Sequence, residues 1–175
     1  MEPLLHYVLP LVALILLGEK PRTAAILATL GVLSDIDALL LIHRSLSHSI
    51  IVIGLIYSPL FVYARLRRPE LLRTFILAFL VTVSHPIMDL ASMTPILWPI
   101  YQNSVSLKLS LNGVIQEGLT FKPRLNINQS PTDFTLLSGL DYPLFTQDGV
   151  LIAFILLLPI FYNQARASQR KPPRR

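Results

Sequence analysis

Apolar residues in this chain run in long blocks interrupted by a single polar stretch. Five blocks are nearly free of charge: residues 3–18, Thr23 to Ile42, Ser49 to Ala64, Leu71 to Leu90 and Gly149 to Tyr162. A helix needs about 20 mostly apolar residues to cross a bilayer, with about 17 as the lower limit, so the blocks predict five transmembrane helices. The polar stretch, residues 91–147, reads differently. Val105, Leu107, Leu109 and Leu111 alternate with Ser106, Lys108, Ser110 and Asn112, the period of two expected of a strand. Asn112-Gly113 then predicts a two-residue hairpin turn, because both positions tolerate positive φ. A second alternation, Leu119, Phe121, Leu125 and Ile127, is broken by Pro123, which predicts an edge. Ser130-Pro131-Thr132-Asp133 reads as the cap and first turn of a short helix. The expected fold is an all-α membrane protein of one domain: a bundle of about five transmembrane helices, a small β-rich extracytoplasmic lid over 91–147, and a tail over 163–175.

Composition sharpens the class. The 175 residues are 53% hydrophobic and 14% charged, with a mean hydropathy of +0.58; soluble domains carry about 25% charged residues. A disordered chain and an ordinary cytosolic enzyme are excluded. The net charge of +5 follows topology, because Lys and Arg collect on the cytoplasmic side of membrane proteins. Eleven of the 15 cations, Lys20, Arg22, Arg65, Arg67, Arg68, Arg73, Arg166, Arg170, Lys171, Arg174 and Arg175, fall on one side of the five-span arrangement. Arg44, Lys108, Lys122 and Arg124 fall on the other. The expected location is therefore the inner or plasma membrane, multi-pass, with the amino terminus outside and the basic tail inside. No nucleic-acid partner is needed. The first block has no basic leader and no small-residue cleavage site, so it reads as a retained span. The absence of cysteine removes thiolate metal sites and a thiol nucleophile.

The chemistry concentrates at one end. All four histidines, His6, His43, His48 and His85, fall at the outer ends of the expected spans, and Asp35, Asp37 and Asp89 lie at similar depth. Asp89 follows His85 by four residues and shares its helix face. An aspartate near a span centre costs about 2.5–3.5 kcal/mol, and only Arg44 is close enough in sequence to pair with one. Divalent cations would neutralise three carboxylates. Seven candidate ligands, His6, Asp35, Asp37, His43, His48, His85 and Asp89, exceed the four of one zinc and suit two ions with open positions. The nitrogen and oxygen donors favour zinc and also suit manganese or iron. Asp35 and Asp37, two residues apart, face about 200° from one another on a regular helix. Both reach one site only if the helix unwinds near Gly31 to Ser34; otherwise one of them holds a ligand histidine.

The order His6, Asp35-Ile36-Asp37, His43-Arg44-Ser45-Leu46-Ser47-His48-Ser49 and His85-Pro86-Ile87-Met88-Asp89 resembles the YdjM-type (LexA-regulated) membrane-bound metal-dependent hydrolases. Those are similar in motif order to the soluble zinc phospholipase C-like enzymes. The resemblance covers about residues 6–101, including Pro95 and Trp98-Pro99. Ser45 and Ser47 stand where that family usually has glycine and threonine. The resemblance implies a hydrolase. Metal-activated water would attack a phosphoester of a phospholipid or lipid-linked substrate at the outer leaflet, with Asp37, Arg44 and His48 as catalytic residues and Arg44 and Lys108 on the substrate. Membrane lipids are the implied partners. Three alternatives from other classes stay open on sequence: a haem protein, a cation or proton path, and an assembly factor with a structural metal.

Overall fold

The computed structural model describes residues 2–40, 44–115, 119–135, 143 and 145–169. Helix α1 spans Pro3–Leu16 and α2 spans Pro21–Ala28, each opened by proline at the position where its missing N–H is no loss. A one-turn helix, α3, Leu30–Leu33, follows at once and tightens into a 3₁₀ segment over Ser34–Leu40. Helix α4, Ile50–Arg67, is capped by Ser49, whose hydroxyl accepts the Val52 N–H at 3.3 Å. Arg65 and Arg67 lie in its last turn, where the helix dipole favours cations. Helix α5, Leu72–Met88, is extended at both ends by 3₁₀ turns over Pro69–Leu71 and Asp89–Ala91. Strands β1, Asn103–Ile115, and β2, Leu119–Pro131, form one antiparallel ribbon, paired from Asn103 with Pro131 to Ile115 with Leu119. Helix α6 covers Gln147–Gln169.

This is not an all-α bundle of five transmembrane helices. Among the described residues, two helical stretches are long and apolar enough to cross a membrane, Ile50–Arg67 and Pro69–Ala91. Helix α1, with 14 residues, rises only about 21 Å, and the apolar part of α6 is also short. The expected second span is broken into α2, α3 and the 3₁₀ segment. Ser and Asp side chains compete with the helical backbone for hydrogen bonds, and Asp37 spends its carboxylate on the backbone N–H of Ser45 instead.

The polar stretch forms the expected hairpin with a later turn. Asn112 and Gly113 pair with Lys122 and Phe121 inside the ladder, so the connection lies beyond Ile115. Pro123 sits opposite Leu111, tolerable because a two-stranded ribbon has only edges. Ser130 and Pro131 end β2, and no helix begins at Thr132–Thr135. His43 lies outside the described residues.

Helix α1 is the hub, packing against α2, α3, α5 and α6. Leu14, Ala24, Leu27, Ala78 and Val81 form one buried cluster, and Leu5, Val8 and Ala153 another. The Glu2 carboxylate accepts the backbone N–H of Thr146 at 2.7 Å and also binds the Thr146 hydroxyl, fixing the start of α6 beside the start of α1. The tightest approach is at Gly31 of α3, where a Cβ would stand 2.3 Å from the backbone oxygen of His6. Only glycine fits there. Gly31→Ala should force α1 and α3 apart, at a cost of about 1–3 kcal/mol. A thermal melt of the purified protein checks it, and an unchanged transition would contradict the packing.

Candidate metal centre

Five structural elements converge on one buried group. α1 supplies His6, the 3₁₀ segment after α3 supplies Asp35 and Asp37, and the turn Leu46–His48 supplies His48. α5 supplies His85, and the 3₁₀ turn at its end supplies Asp89. The three imidazoles are fully buried and Asp89 is 1% exposed. Asp35 keeps 17% exposure and opens the group toward solvent.

Each inner histidine has one ring nitrogen already committed. His85 Nδ1 lies 2.7 Å from the carbonyl oxygen of Gly31, an acceptor, so Nδ1 donates there and Nε2 is the nitrogen turned into the group. His48 Nδ1 lies 3.2 Å from Asp37 Oδ2 and 3.1 Å from Ser47 Oγ, which turns its Nε2 into the same group. The two inward nitrogens face each other at 3.0 Å, within hydrogen-bond distance. Around them stand Asp35 Oδ1, 3.3 Å from His85 Nε2 and 4.0 Å from His48 Nε2, and Asp89 Oδ2, 3.8 Å and 3.5 Å from the same atoms. Ring nitrogens and carboxylate oxygens this close repel unless a proton or a metal cation stands between them.

The set fits a metal. Asp35, His48, His85 and Asp89 can hold an ion, their ligand atoms all lying within 4.8 Å of one another. Ligands of a tetrahedral zinc, at about 2.0–2.2 Å from the ion, stand about 3.3–3.6 Å apart, near the middle of the separations here. Buried polar atoms without a hydrogen-bond partner among the described residues cluster at the same place: His6 Nε2, Asp35 Oδ2, Asp37 Oδ1 and Arg44 Nε.

The other residues expected at the site surround this group. Asp37 is not among the four; its Oδ2 accepts the Ser45 N–H at 2.7 Å and the Ser47 hydroxyl at 2.8 Å while standing beside His48 Nδ1. It therefore orients the ring whose far nitrogen enters the group. Burial alone would raise the Asp37 carboxyl, but these three donors outweigh it and hold its pKa at about 2. Burial would likewise lower His48, and the hydrogen bonds and charges of Asp37 and Asp89 overcome it, raising the imidazole above its ordinary value. The same negative field favours a metal cation. His6 packs edge-on against His85, with Nδ1 at 2.5 Å from His85 Nδ1 and Nε2 at 3.3 Å from Asp89 Oδ1. Arg44, in the left-handed region at φ 59°, places Nε 3.6 Å from Asp89 Oδ2 and donates from a terminal nitrogen to the Met93 carbonyl at 3.3 Å. Lys108 lies out on β1, opposite Asn126.

Sequence reasoning missed the Gly31 carbonyl, the Ser45 N–H and the Ser47 hydroxyl. A backbone acceptor leaves no mark in residue type. The spacing of Ser45, Ser47 and His48 eight to eleven residues after Asp37 was the available signal for the rest. Comparison of the chain with protein-family models, with curated proteins and with solved structures finds no match.

Asp37→Asn keeps the shape but removes the charge that fixes His48. It should weaken divalent-metal binding by about 10- to 100-fold, measured by competition with a chromophoric chelator. Unaltered affinity would mean that His48 needs no such support.

Proposed function

We propose that this chain is a membrane-embedded metal-dependent hydrolase, as its resemblance to the YdjM-type hydrolases implies, and that a metal site at headgroup level acts on a phosphoester of a phospholipid or lipid-linked substrate. The observation that carries the reading is the convergence of one atom each from Asp35, His48, His85 and Asp89 within 4.8 Å of one another, the two ring nitrogens 3.0 Å apart between two carboxylates. Zinc is the favoured ion for two nitrogen and two oxygen donors, with manganese or iron also suited. When bound, such a cation supplies Lewis acidity, acidifying water and polarising a phosphoryl oxygen.

The chain's own residues supply the rest. Gly31 and Asp37 fix the two ligand rings from behind, so the donor atoms need no rearrangement when the ion binds. Asp35 leaves one side of the group accessible. Arg44, at the margin with 19% exposure and its Nε unbonded, offers a guanidinium fork to a phosphoryl oxygen and offsets the charge that develops there. A second ion is favoured by one further observation. Asp35 and Asp89 each turn one oxygen toward His48 and His85 and the other toward His6, Asp35 Oδ2 at 3.7 Å from Nδ1 and Asp89 Oδ1 at 3.3 Å from Nε2, so His6 and these outer oxygens are the groups that would hold a second ion.

Membrane placement rests on the outward faces of the helices. Only 11% of the apolar window of α4 is buried, which a soluble core helix would not tolerate, and Leu55, Ile56, Val62 and Leu66 are exposed. The same side-chain pattern recurs on α6 at Leu151, Phe154 and Ile155. The alternatives fare less well. A haem would need open space between axial nitrogens that stand 3.0 Å apart. A proton or ion path would need polar groups along the bundle, where Leu14, Leu27, Ala78 and Val81 close the interior.

Zinc-loaded protein in mixed micelles should hydrolyse phospholipid or a chromogenic phosphodiester, and Arg44→Ala should lower the rate by about 100-fold with metal content unchanged. Equal rates in the two proteins would remove Arg44 from the reaction. Absence of turnover on any phosphoester in the zinc-loaded wild type would leave the metal structural.

A further inference from the structure

The middle of the ribbon of β1 and β2, residues 106–113 and 121–128, is segregated by face. Residues paired directly across an antiparallel ladder point to the same side. Leu107 pairs with Ile127, Leu109 with Leu125, Leu111 with Pro123 and Gly113 with Phe121: over these four pairs one face carries no polar side chain, and Asn103 and Gln129 fall on it only nearer the root. The alternate pairs are Ser106 with Asn128, Lys108 with Asn126 and Ser110 with Arg124, and Lys122 continues that side. The strands hold three cations, Lys108, Lys122 and Arg124, and no acidic residue.

Nothing described in the protein covers the apolar face. Leu109 is 73% exposed and Phe121 62%, and Leu107, Leu111, Leu125 and Ile127 are exposed with them. The ribbon is rooted beside the Asp89–Ala91 turn, through a bridge between Thr94 and Val105 and the bond from Thr132 N–H to the Gln102 carbonyl. Thirteen residues per strand carry it about 40 Å. A free two-stranded ribbon is at best marginally stable in water, and an exposed apolar strand is an aggregation hazard, so this one needs a surface.

We propose that the ribbon lies flat on the membrane, its apolar face in the bilayer interface and its cations held to anionic headgroups. The proposal rests on the membrane placement argued above. Its root is at the metal-centre end of α5, the level at which a helix that crosses the bilayer emerges, so the apolar outer faces of the helices and of the ribbon meet one lipid phase. A one-sided apolar surface beside basic residues is the same design by which amphipathic helices bind anionic interfaces, and each Lys or Arg near such a surface adds to the attraction.

The chain has no cysteine, so single spin labels can be placed at will. Leu109→Cys and Leu125→Cys report the apolar face, Ser110→Cys and Asn126→Cys the polar one, and Ile56→Cys on α4 serves as the lipid reference. The probe is full-length protein reconstituted into phosphatidylcholine vesicles with or without phosphatidylglycerol, read by collision with oxygen against an aqueous nickel chelate. In anionic vesicles the oxygen preference at 109 and 125 should exceed that at 110 and 126 several-fold. It should fall when phosphatidylglycerol is omitted or when Lys108, Lys122 and Arg124 are changed together to Glu. Equal aqueous access on both faces, with Ile56→Cys in lipid, would overturn the ribbon's docking and leave the membrane placement standing. An aqueous Ile56→Cys would overturn both. Dipolar broadening between ribbons of different copies at high lipid dilution would replace the bilayer with a second chain as the partner, and a contrast indifferent to lipid charge would overturn the role of the cations.

Discussion

Gly31 lets two stretches of backbone meet, and the arrangement of the metal centre follows from that contact. Because no side chain separates it from the His6 carbonyl, α3 lies close against α1 while its Gly31 carbonyl meets His85 of α5, and the His6 and His85 rings pack edge to face beside it. The Gly31 carbonyl, turned toward α5, fixes the tautomer of His85 at the same time. One residue without a side chain thus sets both the spacing of the helices and the direction of a lone pair. The remaining elements extend this pattern. Asp37 does for His48 what the Gly31 carbonyl does for His85, and the Ser45 and Ser47 donors keep Asp37 in place.

The electrostatics explain why so much hydrogen bonding is spent here. Buried carboxylates are costly unless paired, and the polar atoms left over at Asp35, Asp37 and His6 are buried as well. Arg44 Nε stands 3.6 Å from Asp89 Oδ2 and His6 Nε2 3.3 Å from its Oδ1. A divalent cation shared by four donors would offset the remaining charge and turn a repulsive cluster into a stabilising one, coupling metal binding to the stability of the fold. Breaking the second apolar block into short helices and a 3₁₀ segment is the structural cost of bringing Asp35 and Asp37 to this position.

Much of the site's composition was legible in the sequence, and much of its architecture was not. Asp35, His48, His85 and Asp89 could be singled out because ionisable groups inside apolar blocks demand partners, and the i, i+4 spacing of His85 and Asp89 put them on one face. The strand alternation over residues 105–111 likewise announced the ribbon. What failed were inferences from block length alone. Residues 23–42 are apolar enough for a span, yet the polar side chains at 34–37 draw the backbone out of regular helix. Asn112-Gly113 has the chemistry of a tight turn, but the ladder runs past it to Ile115 and Leu119, and the register of the paired strands prevails over local turn preference. The division between ion-holding and ring-orienting residues could not be read, since it depends on which oxygen of Asp37 meets which nitrogen of His48.

The most direct test of this account is the metal content of protein purified gently in detergent without chelators, set beside a His85→Ala/Asp89→Ala variant. Divalent zinc, manganese or iron in stoichiometric amount, lost in the variant while its helical content persists, is the predicted result. Protein that remains free of metal after divalent ions are added back would contradict it, and the facing nitrogens of His48 and His85 would then have to share a proton.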